Sequence, residues 1–408
     1  MLARRDLGNA GLLSAANLAG MALPLIALPL LAQRIGPHGF GLVALAQSIG
    51  MLPVLLVDAG FNTESMRATG EAGGIAPLQP LLDNLLARLR LALPAALLTL
   101  LGSLAIPGLP GAFAAISLLQ LLGTLLFPQW WLIATGGALQ LFAMQTTGRL
   151  LALLGVFAWV RTPDDALLAA ALQCGGTLLS GLLFVLWRIL PRIGELPALD
   201  WQAHRRLGAR ALPAVGSGFV VVLSTQAPQL VLGAAVGAQQ VGLYASGEKI
   251  ARAAAYAVGA IDQTFIAPIA RQHTADPARS QAAANRVVLM LLLAGALIGA
   301  GIAWASAPLA NLLFGKAFAS TSGLLTIFGA WLPSFVARRA YLNLAFAAQG
   351  RLALYGRCQY AEAVAVVALC ALGAALAGAL GAASGLLAAE ACTWCAIVFI
   401  QHAHRRTP

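Results

Sequence analysis

Between positions 248 and 263 the chain sets Glu248, Lys249, Arg252, Tyr256, Asp262 and Gln263 into a stretch otherwise dominated by Ala, Val and Ile. At 100° per residue Lys249, Arg252, Tyr256 and Gln263 fall within about 60° of one another on a helix, with Glu248 and Asp262 flanking the same side. Such a face suits an anion. The Arg guanidinium offers a planar fork that matches phosphate or carboxylate, and Lys adds a point charge. Glu248 and Arg252 stand four residues apart and can pair, which leaves Lys249 over. The competing reading is a self-neutralised helix packed against its neighbours.

Other polar residues interrupt apolar runs elsewhere. Gln47, Asp58 and Asn62 form a narrower stripe, with Asp58 near a helix end where solvation would explain it equally well. Asn17 shares a face with Pro24, and Ser224 with Ser217 and Pro228. The prolines loosen their helices and leave backbone groups that a neighbour or water must satisfy. Arg149 lies inside one apolar run, and Arg338 and Arg339 lie deep in another, just after Pro333. Adjacent helical residues point 100° apart, so at most one of that pair faces a given cavity squarely. Glu362 and Glu390 are isolated acids, each able to pair with a neighbouring Arg. An ionisable group at the centre of a membrane helix costs about 3 kcal/mol on insertion scales, so these residues are expected to face a cavity. The expected cavity cations are Lys249, Arg252, Arg149, Arg338 and Arg339. The expected polar lining is Asn17, Gln47, Ser224, Tyr256 and Gln263, and the candidates for ion coupling are Asp58, Glu248 and Asp262. The surplus of positive charge favours an anionic cargo over a drug or metal cation.

The elements that position these residues follow from composition. The chain of 408 residues is 60% hydrophobic and 10% charged. Apolar runs of bilayer length recur throughout, and with no water available to the backbone they must be helices. Twelve spans are predicted, at about 10–33, 40–60, 86–106, 112–134, 140–160, 165–188, 211–234, 244–268, 285–307, 320–347, 353–377 and 381–401. With the N-terminus in the cytoplasm, the inner segments hold most of the arginines, from Arg4 and Arg5 to Arg405 and Arg406. The outer loops hold Arg34, Arg161 and Lys316. This is a positive-inside distribution with both termini cytoplasmic. The net charge of +11 therefore reads as topology and contact with anionic lipid, not nucleic-acid binding. The basic, apolar start resembles a signal peptide, but no small-x-small site follows and cleavage is not expected. Trp130 and Trp131 are expected in an interfacial belt. Cys174, Cys358, Cys370, Cys392 and Cys395 are expected as small packing residues, with no metal site. No P-loop, HExxH or GxSxG occurs, and no long outer loop offers room for an active site.

An internal repeat completes the plan. Gly36, Gly41, Leu42, Ala44 and Ile49 recur as Gly237, Gly242, Leu243, Ala245 and Ile250, carrying span 2 onto span 8. Six spans lie between the copies, so both run in the same direction. This predicts an all-α polytopic membrane protein of two pseudo-symmetric six-helix bundles, 1–200 and 201–408, joined by a basic link at about 188–210.

The stretches "LPLLAQRIGPHGFGLVALAQSIGMLPVLLVDAGFN", "FPQWW", "VGLYASGEKI" and "PLANLLFGKAF" together resemble the Wzx-type polysaccharide flippases of the multidrug/oligosaccharidyl-lipid/polysaccharide (MOP) superfamily. The resemblance implies two bundles arranged in a V with spans 1, 2, 7 and 8 lining a cavity. It implies movement of an undecaprenyl-pyrophosphate-linked oligosaccharide from the cytoplasmic to the periplasmic leaflet of a bacterial inner membrane, by alternating access with cation coupling. Lys249 and Arg252 would meet pyrophosphate or acidic sugar, and Asp58 would serve coupling. The glycines after Trp130 stand one or two residues later than the family pattern, and Arg338 and Arg339 match no motif in it. The partners implied are the lipid-linked oligosaccharide, membrane lipid, and polysaccharide polymerase and chain-length proteins. The protein is expected to be a monomer with no cofactor and no catalytic activity. The rival readings are a multidrug extruder of the same bundle plan, a lipid II flippase, a membrane-embedded polymerase or glycosyltransferase, and a purely structural scaffold.

Overall fold

The computed structural model describes residues 4–58, 60–71, 78–195, 197 and 201–406. Within these, the side chains of 4–22, 24, 63, 67, 68, 70, 71, 201, 203–205, 212–217, 219, 221, 260 and 403–406 are outside the description. The described chain is helical, with no strand. Its helices are α1 (Arg4–Asp58), α2 (Phe61–Glu71), α3 (Leu78–Ser103), α4 (Gly111–Leu126), α5 (Gln129–Ala134), α6 (Ala138–Trp159) and α7 (Ala166–Phe184). There follow α8 (Trp201–Val236), α9 (Ala238–Ala275), α10 (Pro277–Trp304), α11 (Ser306–Phe314), α12 (Thr321–Tyr341) and α13 (Leu352–Arg406). Eight stretches among the described residues are long and apolar enough to cross a membrane. The helix α1 bends at Gly36 and α13 at Ala377–Gly378. Taking each arm separately, and α4 with α5 as one, the long helices follow the twelve predicted spans one for one.

The bends have a local cause. Gly36 has φ 68° and ψ 178°, a conformation open essentially only to glycine, and Pro37 then starts the second arm from the position that best tolerates a missing N–H. Gly237 repeats this between α8 and α9, with φ 87° and ψ 175°. The sequence repeat is thus a repeated joint: two helices linked by one glycine in the same unusual backbone state, 201 residues apart.

By internal packing the chain separates into two compact units, Met1–Val222 and Leu223–Pro408. The division falls within α8, downstream of the basic link at which the sequence places the boundary. In the first unit α1 packs on α3, α4, α6 and α7, and α7 lies against α4 and α6. In the second, α12 packs against α9, α10 and α13. Small residues allow the closest approaches, as expected where lipid removes the hydrophobic drive between helices. A Cβ on Gly299 would stand 2.2 Å from the Gly329 carbonyl oxygen, and one on Gly123 2.4 Å from the Leu178 nitrogen.

Apolar side chains also cover the outside. Leu93, Leu97 and Leu104 on or after α3, Leu293 and Leu297 on α10, and Leu372 and Leu376 on α13 are all exposed. Leucine on outward faces over this many helices marks lipid contact. Trp130 and Trp131 do not join that surface. Both are buried in a cluster with Phe127, Met144 and Phe184, and Trp131 meets the Phe184 ring edge-on at 5.9 Å. Among the described side chains the exposed tryptophans are Trp159, Trp187 and Trp304, at helix ends. Three of the cysteines are buried, whereas Cys392 and Cys395 are exposed, not packed.

Candidate functional site

The polar residues of α9 separate into two groups and an outlier. The carboxylate of Glu248 is buried and accepts from Gln229 Nε2 at 2.6 Å and from Arg252 Nε at 2.8 Å. Arg252 also reaches the Thr225 carbonyl at 3.4 Å, and its guanidinium carbon lies 5.6 Å from the centre of the Trp331 ring. Thr225 and Gln229 are one turn apart on α8, so α8, α9 and α12 all hold this pair. The i,i+4 spacing does bring Glu248 and Arg252 together; the amide from α8 was not foreseen. Ser224 is buried beside Thr225 in the chain, and Lys249 is half-buried. Further along, Tyr256 meets Phe335 edge-on at 6.5 Å, and Arg339 lies 5.2 Å from the Tyr256 ring.

Asp262 turns away from that face. It is fully buried and accepts from Asn343 Nδ2 at 2.8 Å, while its Oδ1 has no hydrogen-bond partner among the described residues. Asn343 belongs to a π-helical turn (Leu342–Ala347) that continues α12. Such turns interrupt the regular ladder and recur at functional sites. Gln263, the next residue, is exposed, so the single polar face read from the sequence is divided in space.

Arg338 is clamped. Its Nη1 and Nη2 donate to the two oxygens of Glu362 at 2.6 Å each, and its Nε and Nη2 donate to Glu390 at 2.6 and 3.0 Å. The three side chains tie α12 to both arms of α13. One guanidinium against two carboxylates leaves a formal charge of −1, so Arg338 has no positive surplus to offer an anion. The acids judged able to pair with an arginine do so, both with the same one.

In the first unit, Asp58 Oδ1 accepts from Arg88 Nη2 at 2.8 Å. The buried Arg88 also donates to the carbonyls of Val57 and Thr124, at 3.2 and 2.9 Å, and to Asn84 Oδ1 at 3.4 Å. It caps the Val57 carbonyl in the last turn of α1 and fastens that helix end to α3 and α4. In sequence Arg88 belongs to the basic inner segments of the positive-inside pattern, and nothing in its spacing announces these partners.

Arg149, on α6, lines a cavity of about 150 Å³ with Gln47 from the second arm of α1 and Gln173 and Thr177 from α7. Gln47 Nε2 lies 3.5 Å from Gln173 Oε1. Among the described residues the rest of the wall is apolar or glycine, and no carboxylate contributes to it. A half-buried guanidinium among amides and a hydroxyl, with no acid in the wall, is an environment for an anion. The side chain of Asn17 lies outside the described residues. Among the described residues no cluster of His, Cys, Asp and Glu could hold a metal.

The family profile described as "Polysaccharide biosynthesis protein" matches residues 7–272. The chain belongs to this polysaccharide biosynthesis family, the polysaccharide-transporter branch of the MOP superfamily, and is a multi-pass membrane transporter. Its fold resembles the inward closed conformation of the lipid II flippase MurJ, with a TM-score of 0.72 at 13% identity over 97% of this chain and 88% of that one. It also resembles an inward-facing multidrug resistance MATE family transporter of the MOP superfamily (TM-score 0.62, 13% identity, 97% and 96% covered). The MATE transporter VcmN of Vibrio cholerae is similar as well (0.55, 19%, 97% and 98%). At these identities the likeness concerns the fold alone. No curated protein sequence matches the chain.

Proposed function

We propose that the protein is a flippase that moves undecaprenyl-pyrophosphate-linked oligosaccharide units from the cytoplasmic to the periplasmic leaflet of a bacterial inner membrane, by alternating access and without catalysis. Family membership supports a polysaccharide-related cargo. The observation that carries the anionic reading is the Arg149 cavity, whose wall, among the described residues, holds a cation and no acid. A carrier of organic cations would need the opposite arrangement, and that is what argues against a MATE-type drug antiporter in spite of the shared fold. In this reading Arg149 and Lys249 meet phosphate or acidic sugar. Arg252, already neutralised by Glu248, sets the shape of its site, and Arg338 is structural.

Cation coupling falls best to Asp262. Of the three coupling candidates, Glu248 and Asp58 are engaged by arginines, whereas Asp262 keeps one oxygen open to a proton or small cation. The test is Arg149→Gln in cells that depend on this protein for surface polysaccharide. Loss of a charged hydrogen bond, about 1.5–3 kcal/mol, lowers export roughly tenfold or more while the protein stays in the membrane. Normal export by that variant, or export of organic cations that it leaves intact, removes the reading.

A further inference from the structure

A second cavity lies wholly within the Leu223–Pro408 unit, where the N-terminal end of α10, the turn after α12 and both ends of α13 meet. Its volume is about 420 Å³, inside the roughly 300–1,000 Å³ range of small-molecule sites. Gln281 and Asn285 enter from α10, Tyr341 from α12, Gln349 and Arg351 from the turn, and Gln401 from the second arm of α13. Among the described residues no carboxylate lines it, and the one cation, Arg351, is exposed.

The amides form a directed chain. Gln349 Nε2 donates to Gln281 Oε1 at 3.2 Å, and Gln281 Nε2 donates to Asn285 Oδ1 at 3.0 Å. Across the cavity Gln401 Nε2 donates to the Tyr341 hydroxyl. One end of the chain is unsatisfied: Gln349 is buried, 8% exposed, and its Oε1 has no hydrogen-bond partner among the described residues. Turning the amide over would leave a buried N–H unpaired instead, so either orientation calls for a partner from the cavity. A buried polar atom without one is costly, and a group that both donates and accepts would satisfy either orientation.

We propose that this cavity is a binding site for a pyranose ring. Sugar hydroxyls are donor and acceptor at once. Several amides and a phenol around one space match vicinal hydroxyls, and the absence of carboxylates leaves room for a neutral or acidic sugar beside Arg351. Phosphate alone fits less well, because a fully ionised phosphate cannot donate to the Gln349 carbonyl oxygen. Arg351 in its wall, with Arg279 and Arg357 close by in the chain, belongs to the segments that the charge distribution makes cytoplasmic. This placement, and the choice of a lipid-linked glycan as the source of the sugar, rest on the flippase reading. The pocket would then read the first sugars of the cargo before it crosses.

The test uses the full chain purified in lauryldimethylamine oxide, a detergent without sugar. Methyl pyranosides of glucose, galactose, N-acetylglucosamine and glucuronate are titrated by saturation-transfer NMR, beside octyl glucoside below its micellar concentration. Saturable binding of at least one glycoside, weakened tenfold or more in both Gln281→Leu and Gln401→Leu, supports the site. Tighter binding of the octyl than of the methyl glucoside assigns it to a lipid-linked glycan, and equal binding assigns it to a free sugar. Absence of saturable binding to the unaltered protein, or binding that neither variant weakens, overturns the proposal. The measurement involves no transport, so its failure leaves the Arg149 experiment standing, and failure of that experiment leaves this one interpretable.

Discussion

Two arginines inside the helices have opposite surroundings, and this separates stability from function. Arg338 is enclosed by Glu362 and Glu390. Removing one partner of a buried ion pair is expected to cost about 3–5 kcal/mol, because uncompensated charge is left behind. Arg338→Leu should therefore lower the melting temperature in detergent sharply, and Arg338→Leu combined with Glu362→Gln and Glu390→Gln should regain most of it. An unchanged melting temperature for the single variant would contradict the clamp. Arg149 has no acid among the described residues of its cavity wall, so Arg149→Gln should leave the melting temperature the same or higher while export falls. Asp262→Asn keeps the bond from Asn343 and removes only the ionisable oxygen. It should uncouple transport from an imposed cation gradient without unfolding the protein, and transport that still follows the gradient would take the coupling role from Asp262. The sequence showed where the costly charges are and not whom they meet. The Glu248–Arg252 pair was legible because four residues is one helical turn. The Arg338 partners lie 24 and 52 residues away, a separation that carries no periodic signal.

The repeated joint is the clearest device among the elements. Gly36 and Gly237 hold the same backbone state, and open space surrounds the position of a Cβ at each. Replacing either by Ala should thus cost backbone strain alone, about 1–3 kcal/mol, read as a lower melting temperature. Gly301, inside α10 and equally open, is the control: Ala there should be neutral or stabilising, by up to about 1 kcal/mol. If Gly36→Ala and Gly237→Ala matched the control, the joint would have no conformational demand. Apolar run length was enough to find every long helix, since the bilayer requirement is written in composition. The bends in α1 and α13 were legible too, as glycines between runs. The burial of Trp130 and Trp131 was not, because a tryptophan at a helix end suits a lipid interface and a packed corner equally well in one dimension. The exposed Trp159, Trp187 and Trp304 show what the interface uses instead.

For the molecule as a whole, composition and charge distribution give a multi-pass membrane protein, and family membership makes it a transporter connected with polysaccharide. Cargo sign is the point on which a flippase of lipid-linked sugars and an extruder of organic cations differ, since one fold serves both kinds of relative. The duplicated plan explains the shared architecture, and Gln47 against Glu248 is a position at which the two copies differ. The most direct measurement is translocation in sealed liposomes containing the purified protein, with a pyrophosphate-linked oligosaccharide lipid placed in one leaflet and a fluorescent organic cation in the lumen. The account predicts that the sugar lipid reaches the opposite leaflet, and that Arg149→Gln slows it roughly tenfold while the cation stays inside. Expulsion of the cation with the sugar lipid held in its original leaflet would contradict it.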